Sequence, residues 1–276
     1  MKKEFYCILF FIIISCSNLK YLDKYNGFKG HPKEIATTKY EIEYKDGLPL
    51  EKETFTNVIT FDGKGRIITH KTYKSDGTLN NKGRKYIYDR YGNMIQEIYF
   101  RRDGSNLSVH SKYNKYGQII ESRTIDNNDS IQTVWIQKNI DIDRENRLST
   151  TVHRSIFRSN KYDSTIQKFD DRWKLKELIS YDSLGNKKSR IIFHYDKNGN
   201  KYQSAKYDNK DSLKYIFTTY YNENNDWIKV KRFYPQKNIF QEDSVQYDYD
   251  DKQNIIEERL YSEGKLTWIT KNKIIY

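Results

Sequence analysis

The chain is short of cysteine, with two in 276 residues, Cys7 and Cys16. Cys7 lies in an N-terminal stretch predicted to be removed, so the mature protein keeps a single thiol and forms no internal disulfide. Sheet pairing and packing must then hold the fold. Long apolar runs are scarce as well: the one from Phe5 to Ile14 is about half of the roughly 20 residues that a spanning helix takes. The usual signatures of catalysis are missing too. There is no Gly-x-Ser-x-Gly elbow and no Walker or dinucleotide glycine loop. The five histidines, His31, His70, His110, His153 and His194, stand apart, without the spacing of a metal site. The expectation is no catalytic residue, no cofactor and no metal.

What the N-terminus does contain is a leader. Lys2 and Lys3 precede the apolar run, and Ser15-Cys16 follows it, the order of basic flank, core and small residue found in a secretory signal peptide. Ile13-Ile14-Ser15-Cys16 resembles the bacterial lipobox, in which the cysteine thiol takes a diacylglycerol and the chain is cut before it. Residues 1–15 are therefore expected to be a lipoprotein signal peptide, Cys16 the lipid-attachment residue, and residues 16–30 a lipidated tether. Residues 31–276 remain for the folded domain.

Mean hydropathy is −0.95, a value that favours disorder, but 25 Tyr and 13 Phe argue for a thin, wet, aromatic-rich sheet. The net charge is +12, which would attract a polyanion if it were gathered on one surface. Acidic residues are interspersed through the sequence, so a general solvated surface is expected. Lys231 and Arg259 are predicted to be stacked neighbours in a strip neutralised by Glu257 and Glu258.

One phrase dominates the rest: aromatic, Asp or Asn, two variable residues, Gly or Asn, one variable residue, apolar. It opens at Phe61, Tyr88, Tyr113, Ile142, Phe169, Tyr195, Tyr221 and Tyr249, and a fixed period of this kind marks an array of one supersecondary unit. Counting from the opener, apolar residues recur at position seven (Ile67, Met94, Ile119, Leu175, Trp227) and position thirteen (Tyr73, Phe100, Tyr207, Phe233, Tyr261). Between opener and position seven lie Asp, Asn and Gly, which cap their own backbone or accept positive φ. A weaker turn follows position thirteen. Each unit then reads strand, turn, strand, turn.

The fold class is thus all-β: a long antiparallel meander of repeated β-hairpins forming a single twisted, curled sheet, open or partly closed. Positions seven and thirteen are predicted to share one face, and the Tyr/Phe/Ile ladder there to be buried on the concave side. A half-unit, Thr38 to Tyr44 with the turn Lys45-Asp46-Gly47, starts the array, after Pro32 at the edge of the first strand.

Tyr88-Asp89-Arg90-Tyr91-Gly92-Asn93, Tyr181-Asp182-Ser183-Leu184-Gly185-Asn186 and Tyr195-Asp196-Lys197-Asn198-Gly199-Asn200 resemble the YD repeat, also called the RHS repeat, over most of residues 60–260. Short repeat-only lipoproteins of Bacteroidota are the most similar members. The resemblance implies β-hairpin units wound into a sheet or shell, with roles in glycan binding or surface contact, and it favours the outer membrane. It does not extend to toxin encapsulation, because the chain has no room for a cargo shell and no toxin domain.

The recurring turn carboxylates, such as Asp62, Asp89, Asp170, Asp196 and Asp250, supply one ligand per turn, whereas calcium needs six to eight oxygens. Turn capping is their expected role, and paired carboxylates for glycoside hydrolysis cannot be told apart from it. Trp135 and Trp268 fall off the best ladder and are the candidate ligand face. The functional expectation is a non-enzymatic, lipid-anchored cell-envelope protein, monomeric, whose partners are the membrane through its N-terminus and a glycan, a lipopolysaccharide or an envelope protein. No specific nucleic-acid partner is expected. The alternative is an immunity or antitoxin-like protein that binds a secreted toxin.

Replacing Cys16 with Ser is expected to block lipidation and release the chain from the membrane fraction, or to leave it uncleaved. Full membrane retention of a correctly matured Cys16→Ser protein, read by fractionation and mass spectrometry, would show that the cysteine is not the anchor.

Overall fold

The computed structural model describes residues 27–276 apart from 102, 114–118, 129, 144–147 and 156–161, and it leaves aside the side chains of 81–82, 132–143, 148–155 and 162–163. Eighteen strands follow one another. They are β1 (Glu34–Lys45), β2 (Leu48–Phe61), β3 (Ile67–Lys74), β4 (Leu79–Tyr88), β5 (Met94–Phe100) and β6 (Asn106–Tyr113). Next come β7 (Ile119–Asp126), β8 (Ile131–Asp143), β9 (Leu148–Ser155), β10 (Tyr162–Phe169), β11 (Leu175–Tyr181) and β12 (Lys187–Tyr195). The last six are β13 (Lys201–Asp208), β14 (Leu213–Tyr221), β15 (Trp227–Tyr234), β16 (Ile239–Tyr249), β17 (Ile255–Ser262) and β18 (Lys265–Ile275). The all-β meander expected from the repeat is therefore the architecture observed.

Each strand pairs antiparallel with the strands before and after it in sequence. The sheet curls far enough for β1 to lie between β2 and β18, with Glu34 opposite Ile275 and Glu41 opposite Trp268. Each strand thus has a hydrogen-bonded neighbour on both sides, which removes the exposed edge that invites association between chains. Twist accumulated over many strands makes such curling necessary.

The turns explain the repeat phrase. In Asp182-Ser183-Leu184-Gly185-Asn186, the Asp182 carboxylate accepts the backbone N–H of Leu184 and of Asn186, both at 2.9 Å. The Asp182 N–H donates to the Asn186 carbonyl, and Gly185 N–H donates back to Asp182. The same pattern recurs at Asp62, Asp89, Asp170 and Asp250. Asn222 shows that a neutral side chain serves equally, accepting from Asn224 and Asp226 at 3.0 and 2.9 Å. Asp182 and Asp208 lie in the weaker turns, so both ends of the sheet use this device. The fifth residue counted from the opener takes positive φ, as at Gly65 (79°) and Gly92 (90°), which is where glycine is free of the Cβ penalty.

Just inside the opener turns the ladder also holds a β-bulge, and that bulge corrects one expectation. Partners across a ladder share a face. Phe61 opposes Ile67 and shares a face with Ile59, whereas Tyr73 opposes Thr56 on the other face. Position seven therefore joins the opener, and position thirteen lies on the opposite side. Odd-number counting fails because the bulge leaves Ile68 without a partner: Thr60 opposes Thr69, and the next residue opposes Ile67.

The deep one-sided ladder is also corrected. Among the described residues seven apolar side chains besides Pro32 are buried: Ile35, Ile42, Phe61, Leu178, Ala205, Val245 and Ile269. Tracing the registers places Ile42, Ala205 and Ile269 on one face and the other four on the second. Position-seven and position-thirteen residues are mostly half-buried, and Phe100 is exposed. The sheet is one layer thick over most of its area, so cover comes sideways from neighbouring strands.

A tyrosine hydroxyl links successive units. Tyr88 donates to the Ile67 carbonyl (2.8 Å), Tyr113 to Met94 (2.7 Å), Tyr195 to Leu175 (2.9 Å) and Tyr221 to Lys201 (2.9 Å). In each case an opener reaches position seven of the preceding unit, beside the bulge. Tyr247 does the same for Trp227, and the Asn272 amide for Ile255. Tyr195→Phe should cost about 1 kcal/mol, the worth of one net hydrogen bond. Tyr195→Ala should cost about 3 kcal/mol, as large-to-small changes at packed sites do, and the neighbouring exposed His194→Ala under about 0.5 kcal/mol. Denaturant unfolding of the three variants measures this, and equal costs at 194 and 195 would contradict it.

Candidate ligand groove

The two faces differ in how their polar groups are treated. On the face of Ile59, His70 and Arg84, burial lowers the His70 pKa, with the Arg84 charge adding to it. On that face burial also raises Tyr86, pushes Tyr99 up to about 12, and raises Tyr215, Tyr247 and the Glu258 carboxyl. Arg84 reaches Glu97 at 3.1 Å and stacks over Tyr99 at 4.8 Å in the middle of this cluster. This is the shielded face. On the other, shifts are led by charge partners: Lys229 hydrogen-bonds Glu242 and lowers its pKa, Asp248 raises Arg259, and Glu51 raises Lys271. That is the solvated face.

A groove of about 590 Å³ opens on the solvated face of β14, β15 and β16, within the size range of small-ligand sites. Two cross-strand rows line it. Ile216 opposes Phe233, which opposes Phe240; Thr218 opposes Lys231, which opposes Glu242. Phe233 and Phe240 stack with ring centroids 4.3 Å apart and planes 18° from parallel. Phe240 is nevertheless 70% exposed, so its outer surface is bare. The β17–β18 turn closes one end, where Glu263 N–H donates to the Glu242 carbonyl at 2.8 Å. Glu263 and Gly264 both take positive φ (51° and 78°), as a two-residue hairpin turn requires. Beside the rings, one Glu242 carboxylate receives Lys229 at 2.9 Å and Lys231 at 3.5 Å. The groove thus pairs an apolar ring platform with hydroxyl, ammonium and carboxylate groups.

The residues singled out from the sequence fall elsewhere. Trp268 lies on the shielded face, opposite Glu41 and Leu260, with the Lys39 ammonium 4.1 Å from its ring centroid. Its ring carries a cation–π contact inside the sheet. Trp135 belongs to β8 by its backbone, and its side chain is outside the described residues, as is all of Cys16. Lys231 and Arg259 are not neighbours. β16 runs between them, Lys231 opposite Glu242 and Arg259 opposite Gln246, and Arg259 pairs with Asp248 and Glu257. Glu258 cannot join that strip because it opposes Tyr247 on the shielded face. Phe240 holds no repeat position, so the repeat frame does not single it out. Its signal was the symmetry of Phe233 and Phe240 about the turn Tyr234-Pro235-Gln236-Lys237-Asn238-Ile239.

Among the described residues, no cluster of three His, Cys, Asp or Glu is arranged for a metal, and no helix is long and apolar enough to cross a membrane. The described strands carry charges along both faces. Lys231, Glu242, Arg259 and Lys271 lie on the solvated face, and Lys39, Arg84, Glu97 and Glu258 on the shielded one. A barrel that crosses lipid needs an outward apolar band about 25 Å tall, and these strands do not present one.

No known protein-family profile matches the chain, and no curated protein does. Solved structures match at low identity. One is a porin-like protein from Bacteroides uniformis, 11% identical over 88% of this chain and 97% of that one, TM-score 0.41. Another is a TcdB2-TccC3 structure, 15% identical over 80% of this chain and 12% of that one, TM-score 0.28. A third is a DUF1329 family protein from Desulfovibrio piger, 8% identical over 89% and 86%, TM-score 0.20.

Proposed function

We propose that this chain is a non-enzymatic, lipid-anchored protein of the cell envelope, at the outer membrane, that binds a glycan in the groove on its solvated face. The reading rests on one observation above others. Phe240 stacks on Phe233 yet leaves its outer surface bare, beside Lys231, Glu242 and Thr218. A pyranose ring has an apolar C–H face and a hydroxyl edge, and this combination of flat ring and adjacent polar groups suits both. The leader expected over residues 1–15, followed by Cys16, supports the envelope location, and the YD-like repeats support a surface-contact role.

Screening the purified protein against an array of bacterial envelope glycans should find a binder. Phe240→Ala should weaken binding of that glycan tenfold or more, about 1.4 kcal/mol, with the unfolding midpoint unchanged because the ring is exposed. Unaltered affinity in Phe240→Ala would remove the groove as the site.

A further inference from the structure

The meander places its turns alternately at two rims. One rim holds the turns that follow the openers. The described chain joins the sheet there: Lys29 N–H donates to the Asn254 side chain at 2.6 Å, and the Asn254 amide donates to the Lys29 carbonyl at 3.1 Å. Asn254 and Pro32 are buried at this junction. Gly30 is held against Tyr276 and Lys252, so close that a Cβ would fall 2.8 Å from the tyrosine ring. The first described residues therefore lie at this rim. Cys16 is 11 residues upstream of Gly27, a reach of at most about 38 Å when fully extended.

The tips of the same rim carry Tyr91, 74% exposed, and Trp173, 39% exposed. The Arg90 guanidinium stacks over Tyr91 at 4.6 Å, and Arg172 precedes Trp173. Asp89 and Asp170 in these turns direct a carboxylate oxygen to their own backbone N–H groups; Arg172 lies 4.0 Å from Asp170, and the Trp173 ring leans on Phe169 with centroids 5.9 Å apart, leaving part of it exposed. Trp173 also takes a φ of 59°, where the matching described residues of other units are Gly65, Gly92, Gly199, Asn225 and Gln253. A bulky side chain held in the left-handed region carries strain. Aromatic rings with adjoining Arg or Lys are the side chains that settle at a membrane–water interface.

We propose that this rim rests on the headgroup layer of a lipid bilayer, with Tyr91 and Trp173 at the interface and Arg90 and Arg172 at lipid phosphates. The proposal depends on the lipid-anchor reading, since the tether from Cys16 brings this rim to the surface. It also orients the molecule. The groove lies toward the opposite rim, beside Glu263 and Gly264, and so opens away from the bilayer.

The test uses the full chain, matured with its anchor, in proteoliposomes of phosphatidylethanolamine and phosphatidylglycerol. An environment-sensitive fluorophore is attached at Lys197→Cys on the tether rim or at Lys210→Cys on the opposite rim, with brominated lipid as quencher. Quenching at 197 and none at 210 is expected. A second pair of changes, Tyr91→Ser with Trp173→Gly, puts glycine where positive φ favours it. It should leave the protein bound through its anchor while at least halving the quenching at 197. Quenching at 210, or at neither position, in a protein that stays with the vesicles would overturn the orientation and leave the anchor intact. A chain that matures without lipid and stays soluble would overturn both.

Discussion

The interaction on which the rest depends is the hydrogen bond from an opener tyrosine to a backbone carbonyl of the unit before it. A bulge lies just inside each described opener turn, and a bulge takes backbone groups out of the regular ladder. A polar group left unpaired away from water costs about 1–3 kcal/mol. The tyrosines at 88, 113, 195 and 221 supply the missing donor to Ile67, Met94, Leu175 and Lys201. The same ring receives a cation from the preceding turn, Arg66 over Tyr88 and Lys174 over Tyr195. Each unit is thereby fastened to the next at one rim, where a thin sheet has little core to hold it.

The bulge also sorts the faces, and the face determines what each side chain can do. Openers and position-seven residues meet on the shielded face, where burial keeps tyrosine hydroxyls protonated: Tyr88 is pushed up to about 12, and Tyr113, Tyr195 and Tyr221 are raised as well. Phe233 is a position-thirteen residue and falls on the solvated face. There it supports Phe240 and makes a groove. The device that stabilises the array and the device that exposes a ligand platform are consequences of one backbone irregularity.

Much of this was legible in the sequence because it is local. Asp182 through Asn186 spells a turn through groups that hydrogen-bond within five residues, and eight openers at regular spacing give the strand count and order. Two additional strands, β1 and β2, come from the half-unit before Phe61. What depends on distant geometry was not legible. The pairing of Glu41 with Trp268 joins residues more than 200 positions apart and follows from twist summed over the whole sheet. It puts Trp268 beneath Lys39 on the shielded face. The face of Ile67 is hidden for a subtler reason: period-two counting assumes an unbroken ladder, and the bulge at Ile68 breaks it. Lys231 and Arg259 were placed together by unit number, although an intervening strand separates them.

Tyrosine reactivity tests the account of latch and faces most directly. Nitration by tetranitromethane proceeds through the phenolate, so it reports both the hydroxyl's environment and its access. Mass spectrometry of the lightly nitrated native protein should find modification at the exposed Tyr91, Tyr202 and Tyr220 and protection at Tyr88, Tyr113, Tyr195 and Tyr247. Comparable nitration of both sets in the folded protein would contradict the claim that these four hydroxyls are held against the backbone of the preceding unit on a shielded face.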